Sequence, residues 1–177
     1  MEDISSNKIW KYYEHDNKNV LSRIEYFIKS SDKLKSFANS FFFNSNYVLF
    51  KDKINFKYPN GEGFIDHQDI AAGWGKYGSH HITIAVPLCD TTLENGCLYF
   101  ADIGVDKMLM DEFSDLNSDI VPAEKYNPYP TQRGDIILFD SFIPHKSYKN
   151  NTQFERNILY FTYVLNDKNI NDVYNSN

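Results

Sequence analysis

The chain has 177 residues, of which 42% are hydrophobic, and this is enough apolar material for the core of one domain. Aromatic residues make up 16% of the chain and charged residues only 24%, a composition that excludes an intrinsically disordered protein. No apolar run approaches the roughly eighteen residues of a membrane-spanning helix.

The charge and the cysteines narrow the class of protein further. The net charge is −6 and no cluster of Lys and Arg lies on one helical face, so we expect no nucleic acid as partner, and the absence of a long apolar run leads us to expect no membrane. Cys89 and Cys97 are too few for a disulfide framework and fit a reducing compartment. The opening MEDISSNKIWKYYEHD lacks the apolar run of a secretory signal, so we expect a cytoplasmic protein.

The N-terminal part of the chain has the apolar spacing of helices. Between Asn19 and Phe43 apolar residues recur every three or four positions, with an interruption at Ser31-Asp32. This spacing predicts two helices within 19–43. We expect the chain to enter directly at these helices, with no strand before them, and the helices to pack on one sheet.

From residue 46 onward the apolar period changes to two, and β-branched and aromatic residues dominate. This pattern predicts strands at 46–58, 80–88, 97–100, 135–140 and 157–165. Residues 101–134 contain several Pro, Asp and Asn residues and are predicted to be a long excursion outside the framework. We therefore predict one domain over 1–177, in which 19–43 form a helical support and 46–165 a β core.

The segment Gly73–Gly78 spells G-x-G-x-x-G, a motif that can hold a dinucleotide phosphate when it opens a helix. Here it leads into Ser79–Ile84, which alternates and is β-branched, so a strand follows it. Without a helix N-terminus the segment is predicted to be a plain turn.

The stretch His67–Asp69 forms an H-x-D motif, whose first and third residues share a face of an extended chain. The motif alone is common by chance, and each histidine taken singly fits a structural role. His145, however, follows the predicted strand 135–140 and is itself followed by Ser147 and Arg156. Two histidines and one carboxylate are the ligands of non-haem Fe(II) oxygenases, so this order indicates a metal site.

The order of these motifs resembles that of the phytanoyl-CoA dioxygenase family of Fe(II)- and 2-oxoglutarate-dependent oxygenases. Within the family, the motifs look most like those of the enzymes that hydroxylate 2-aminoethylphosphonate. The stretches that carry the resemblance are Leu49–Lys57, Gly63–Trp74, His81–Thr83, Asp90–Leu98 and Gly134–Arg156. The resemblance implies a mainly β fold, a double-stranded β-helix or cupin-like jelly-roll, and a dioxygenase that hydroxylates a small polar molecule.

The resemblance also implies a role for each motif residue. His67, Asp69 and His145 would bind Fe(II) and leave positions for 2-oxoglutarate and O₂. Arg156 and Ser147 would bind the far carboxylate of 2-oxoglutarate, since a guanidinium fork matches a carboxylate. The related halogenases lack the carboxylate ligand, so Asp69 indicates hydroxylation.

Polar residues alternate along the predicted strand at 51–57. One face carries Lys51, Lys53, Asn55 and Lys57, and the other carries Asp52, Ile54 and Phe56. We expect the second face to be the packed one. Because the family lines its active site with this strand, the resemblance implies that Lys57 lies beside the cosubstrate and that Lys51, Lys53 and Asn55 contact the substrate.

On the strand predicted at 80–88, His81 and Thr83 share the face expected to look into the barrel. We expect Thr83 near 2-oxoglutarate and consider His81 a candidate substrate contact, with a hydrogen-bonded structural histidine as the alternative. A cationic lining suits an anionic or zwitterionic substrate such as an aminophosphonate.

One stretch departs from the family pattern. Tyr99–Asp106 reads YFADIGVD where the family usually has a Pro-Gly-Ser-His type turn. This departure and the short N-terminal segment leave a second interpretation open, a metal-binding jelly-roll module that binds a ligand without turnover. Release of succinate or CO₂ from 2-oxoglutarate distinguishes the two.

Overall fold

The computed structural model describes residues 10–13 and 47–167, arranged as two antiparallel sheets. The first sheet has the spatial order β1 (Trp10–Tyr13), β2 (Tyr47–Lys57), β9 (Arg156–Leu165), β4 (His81–Pro87) and β7 (Ile137–Asp140). The second has the order β3 (Phe64–His67), β8 (His145–Ser147), β5 (Leu98–Ala101) and β6 (Tyr126–Tyr129). Three short 3₁₀ helices occur in the described ranges, at Asp69–Ala72, Trp74–Lys76 and Ala123–Lys125. Successive strands alternate between the sheets from β2 to β5 and again from β6 to β9, as in a jelly-roll.

The structure confirms the predicted β core. β2, β4, β5, β7 and β9 lie within or overlap the five predicted strands. The two predicted helices lie outside the described residues. Within the described residues, no helix is long and apolar enough to cross a membrane.

The expectation that no strand precedes the helices was wrong. Trp10–Tyr13 forms β1, which pairs antiparallel with the last four residues of β2. Aromatic residues favour extended backbone, and the outer edge of β2 has backbone N–H and C=O groups with which such a segment can pair.

The expectation that 101–134 lies wholly outside the framework was also wrong. Tyr126–Tyr129 forms β6 at the edge of the second sheet, where Pro128 is tolerated because one side of an edge strand needs no ladder hydrogen bond. The buried side chains of Leu116, Val121 and Tyr126 form a small cluster with Ala101 of β5. This apolar contact anchors the excursion to the second sheet.

The main core lies between the two sheets, and its central members are Ala85, Leu98, Phe100, Phe139, Ile158 and Tyr160. Burying each of the larger apolar side chains stabilises the fold by roughly 1.5–3 kcal/mol. The two sheets on either side of this core carry the polar residues of the site.

The face of β2 that we expected to be packed is not the buried one. Asn55 is 7% and Lys57 only 1% exposed, whereas Ile54 and Phe56 are half-buried. The polar face of β2 looks inward because the interior beside it is a polar cavity. The rule that apolar faces are buried therefore predicted the wrong face of this strand.

Candidate active site

Three predicted metal ligands converge between β3 and β8. His67 ends β3, Asp69 begins the 3₁₀ helix that follows, and His145 begins β8, where it is the register partner of His67. One ligand atom from each residue lies within 4.8 Å of the other two. The Asp69 Oδ1 atom is 3.8 Å from His67 Nε2 and 3.9 Å from His145 Nε2. This group can hold one metal ion.

Backbone carbonyls orient both imidazoles. His67 Nδ1 lies 2.7 Å from the Ile65 carbonyl oxygen, and His145 Nδ1 lies 3.0 Å from the Ile143 carbonyl oxygen. Because a carbonyl only accepts, each Nδ1 must carry the proton. In the neutral form of each ring, Nε2 therefore carries a lone pair on the side of Asp69. A metal ion needs this lone pair to bind.

The charge states suit metal binding. Burial, followed by repulsion from His67, lowers the pKa of His145 to about 4, so its ring is neutral at neutral pH. Burial opposes ionisation of Asp69, but attraction to His145 and Lys53 outweighs it and keeps the pKa of that carboxyl below its usual value. The group thus offers a neutral imidazole and a carboxylate.

Sequence reasoning missed Gln68, the middle residue of the H-x-D motif. Its side-chain amide is 2% exposed and donates to the carbonyls of Phe142 (2.6 Å) and Lys107 (3.0 Å), while its oxygen accepts from Leu109 N–H (2.8 Å). Gln68 therefore ties the metal-binding turn to the turn that precedes His145. No local pattern signals this role, because all three partners are distant in the chain.

A cavity of about 430 Å³ opens over the metal group, a volume in the range of small-molecule sites. Besides the three residues of the metal group, the predicted site residues that line it are Lys51, Lys53, Asn55, Thr83 and Ser147. Trp74 and Tyr160 also line it, and neither was predicted. Tyr160 lies an even number of residues from Arg156 on β9, so the two side chains share a face of the strand. This spacing could have identified Tyr160 as a residue of the site.

Lys57 and Arg156 form a basic end of the site, although neither lines the open cavity. They are register partners on β2 and β9 and are 1% and 0% exposed. Lys57 Nζ donates to the Ser147 hydroxyl (2.8 Å) and to the Tyr148 carbonyl (2.6 Å). Arg156 Nη2 donates to the Gly96 carbonyl (3.0 Å). Among the described residues, neither cation has a carboxylate within ion-pair distance.

This end of the site fits an anion. Burial, followed by repulsion from Arg156, lowers the pKa of Lys57 to about 6, so Lys57 is mostly uncharged at neutral pH until a bound anion stabilises its ammonium form. The Nε and Nη1 atoms of Arg156 are buried without a hydrogen-bond partner in the described part of the chain. Ser147 Oγ accepts from Lys57 Nζ and from Phe64 N–H (3.3 Å), so its own proton is available to an acceptor in the cavity. A carboxylate, such as that of 2-oxoglutarate, would satisfy these donors.

Gly96 shapes this end of the site. Its φ of 77° lies in the left-handed region, and an added Cβ would lie 2.2 Å from the Tyr148 carbonyl oxygen and 2.9 Å from Lys57 Nζ. Only glycine therefore lets the loop before β5 come close enough to Lys57 and Arg156 for the Gly96 carbonyl to accept hydrogen bonds from both. Gly96 therefore has a structural role at this end of the site.

Two lysines bring positive charge to the cavity wall. Lys51 Nζ lies 5.8 Å from the centre of the Trp74 ring, and Lys53 Nζ lies 5.0 Å from that of Tyr160. Burial lowers the pKa of Lys53, while attraction to Asp69 partly offsets this effect. An anionic group in the cavity would stabilise the charged form of Lys53.

Thr83 and His81 are placed differently. Thr83 lines the cavity and shares a hydrogen bond with the Thr162 hydroxyl (2.9 Å). His81 is 0% exposed and does not line the cavity; its ring packs against Phe50 (5.3 Å between centroids) and Trp74 (5.4 Å). Burial lowers the pKa of His81 to about 4, and its ring nitrogens have no hydrogen-bond partner among the described residues. The structure thus places His81 in an aromatic cluster beside the cavity.

Comparison with known proteins finds relatives over most of the chain. Residues 6–158 match the family model described as Phytanoyl-CoA dioxygenase (PhyH). The methylphosphonate hydroxylase of Gimesia maris is 38% identical over 118 residues, or 66% of this chain. The 2-aminoethylphosphonate dioxygenase of Uncultured bacterium HF130_AEPn_1 is 32% identical over 169 residues, or 88% of this chain. The chain spans 45% and 64% of the length of these two relatives.

Solved structures share the fold. EctD from S. alaskensis, crystallised with 2-oxoglutarate and 5-hydroxyectoine, matches 88% of this chain and 56% of its own with a TM-score of 0.70 and 21% identity. SnoN, a non-heme alpha ketoglutarate dependent epimerase from nogalamycin biosynthesis, matches 93% of this chain and 66% of its own with a TM-score of 0.68 and 18% identity. Because the family model spans most of the sequence and the jelly-roll agrees with these structures, the chain belongs to the phytanoyl-CoA dioxygenase family.

Proposed function

We propose that this chain is an Fe(II)- and 2-oxoglutarate-dependent dioxygenase that hydroxylates a small anionic or zwitterionic molecule. The observation that carries the proposal is that the group of His67, Asp69 and His145 opens into the same cavity that Ser147 lines next to buried Lys57 and Arg156. A metal site and an anion site at one cavity are what a metal-bound 2-oxo acid needs.

The residues divide into three tasks. His67, Asp69 and His145 bind Fe(II). Arg156, Ser147, Lys57 and Thr83 bind or support 2-oxoglutarate. Bound Fe(II), together with 2-oxoglutarate and O₂, would supply the oxidising power for hydroxylation of a C–H bond. The overall reaction is R–H + 2-oxoglutarate + O₂ → R–OH + succinate + CO₂.

Lys51, Lys53 and Asn55 are the proposed substrate contacts. The two lysines act as point charges on an anionic head group, and the partly enclosed cavity strengthens that attraction. The names of the two relatives supply a class of anion, since one is a methylphosphonate hydroxylase and the other a 2-aminoethylphosphonate dioxygenase. We therefore propose a phosphonate, with aminophosphonates as the first candidates.

The test is a panel of phosphonates and of amines of equal length that lack the phosphonate group, incubated with the chain, Fe(II), 2-oxoglutarate and O₂. The expected result is succinate formation stimulated by phosphonates and a product heavier by one oxygen atom. Stimulation by the amines alone would contradict the substrate class. Binding of 2-oxoglutarate without succinate from any compound would favour a binding module.

The lysines are tested in the same assay. Lys51→Ala and Lys53→Ala should raise the KM for the phosphonate, because each removes a cation from the cavity wall. Lys149→Ala is the matched control, since Lys149 is exposed and does not line the cavity. Equal KM values in all three variants would refute the anion contact.

A further inference from the structure

The segment 107–116, here called the strap, is bound along the turn that carries the metal ligands. Gln68 holds its start through Lys107 and Leu109. At its end, Leu116 N–H donates to the Asp66 carbonyl (3.1 Å). Between these points, Phe113 N–H donates to the Ala71 carbonyl (2.6 Å). The strap therefore has a fixed position relative to His67 and Asp69, which lie within residues 66–71.

Phe113 has an unusual conformation at the centre of this strap. Its φ is 63°, in the left-handed region that bulky side chains rarely adopt. The other described non-glycine residue with a positive φ is Asn60, a residue type that tolerates it. The Phe113 side chain is also 79% exposed, so burial does not compensate for the strain. Strain of this kind that the surroundings maintain is typical of ligand-binding positions.

The ring of Phe113 lies at the mouth of the cavity. It lines the cavity and yet remains mostly exposed, as does Ile65, which is 64% exposed. The ring packs on Gly73, where an added Cβ would lie 2.9 Å from Phe113 Cζ, and Gly73 has a φ of 76°. Gly73 in turn leads directly into Trp74, a buried residue of the cavity wall. A glycine and a strained backbone thus combine to hold one aromatic ring at the mouth.

We propose that Phe113 is a specificity-determining residue whose ring contacts the part of the substrate that extends to the mouth of the cavity. Lys51 and Lys53 bind the anionic group at the cavity wall, and where the substrate reaches the mouth the ring limits its length and removes it from water. This inference rests on the proposed function, because it assumes that the cavity is the substrate site.

The experiment compares phosphonates of increasing length, namely methylphosphonate, 2-aminoethylphosphonate and 3-aminopropylphosphonate. Wild type, Phe113→Ala, Phe113→Tyr and Phe154→Ala are compared by kcat/KM for stimulated succinate formation. Phe154 is the matched control, since it is 80% exposed and does not line the cavity. The second readout is direct binding of each phosphonate, measured by calorimetry with Co(II) and without turnover.

The expected result is that Phe113→Ala shifts the preference between the shortest and longest compounds by about tenfold or more, in both kcat/KM and binding. Phe113→Tyr, which keeps the ring, and Phe154→Ala should keep the wild-type preference. An unchanged preference in a Phe113→Ala protein that melts like Phe154→Ala would overturn the inference.

Failure of the proposed function gives a different result. If wild type binds the phosphonates but forms no succinate, the hydroxylase proposal fails, and the calorimetric preference of Phe113→Ala still decides the role of the ring. If wild type binds none of the phosphonates, both proposals are overturned.

Discussion

His67 and His145 lie directly opposite each other on β3 and β8, with ring centroids 4.2 Å apart. Their pairing requires β3 and β8 to meet, although the two residues are far apart in the chain. The metal group therefore exists only in the folded second sheet. A ligand that binds the native state alone stabilises it, so metal binding is coupled to folding here.

Divalent metal should raise the Tm of the wild type. Fe(II) without oxygen, or Co(II) as a redox-stable substitute, binds the native state, and the shift is read by differential scanning fluorimetry. His145→Ala and Asp69→Ala should lose the shift because each removes a ligand. His80→Ala is the control, since His80 lies outside the metal group. A full shift in His145→Ala would show that the metal binds elsewhere.

Removing the amide of Gln68 should weaken both the fold and the metal site. Gln68→Leu leaves the Leu109 N–H and the Phe142 carbonyl without their partner, at a cost of roughly 1–3 kcal/mol in the free energy of unfolding. Metal affinity should fall by about 10–100-fold, because the turn before His145 loses its link to the H-x-D motif. Urea unfolding and Co(II) titration measure the two effects.

The control for Gln68 is Gln153→Leu, since Gln153 is exposed. It should change neither quantity. If Gln68→Leu loses stability but binds Co(II) as tightly as the wild type, Gln68 has only a structural role and the prediction for metal affinity is wrong.

Arg156 should dominate the affinity for 2-oxoglutarate. Arg156→Ala is expected to raise the dissociation constant by at least about thirtyfold, or ~2 kcal/mol, because the carboxylate loses a charged hydrogen-bond partner. Arg156→Lys should recover only part of this loss, since lysine lacks the planar fork. Calorimetry with Co(II) in place of Fe(II) measures the constant, and Arg133→Ala serves as the exposed control. Unchanged affinity in Arg156→Ala would remove the residue from the site.

His80 should make the stability depend on pH. A side-chain hydrogen bond with Asp140 raises the pKa of His80 above its ordinary 6.5. The resulting stabilisation is fully present below pH 6.5 and is lost as pH rises through the higher folded-state value. Between about pH 6 and about pH 8, wild type should therefore lose more free energy of unfolding than His80→Gln or Asp140→Asn. Equal losses in urea unfolding of all three proteins would contradict the linkage.

The sequence predicted the long strands well because their period is visible locally. β2, β4 and β9 have seven to eleven residues each. β5 and β7 have only four, but each contains an apolar run, whereas β3 and β8, with four and three residues, have neither a period nor an apolar run of that length. β6 was hidden by Pro128, which ordinarily argues against a strand.

The candidate metal ligands were also predictable, since H-x-D is a local motif and His145 follows a clear strand. The register of Lys57 with Arg156 was not, because it depends on the pairing of β2 with β9 across a large sequence separation. The roles of Gln68 and Phe113 rest on hydrogen bonds to distant backbone and, for Phe113, on one backbone dihedral, neither of which leaves a sequence signature.

Succinate formed from 2-oxoglutarate measures directly whether the metal group, Lys57 and Arg156 serve one oxidative reaction. The measurement uses the purified chain with Fe(II), O₂ and 2-aminoethylphosphonate, and compares wild type with Asp69→Ala and Arg156→Ala. We expect succinate in step with hydroxylated product for the wild type, none for Asp69→Ala, and recovery of Arg156→Ala only at high 2-oxoglutarate. Succinate formation by Asp69→Ala at the wild-type rate would show that the metal group does not carry the reaction.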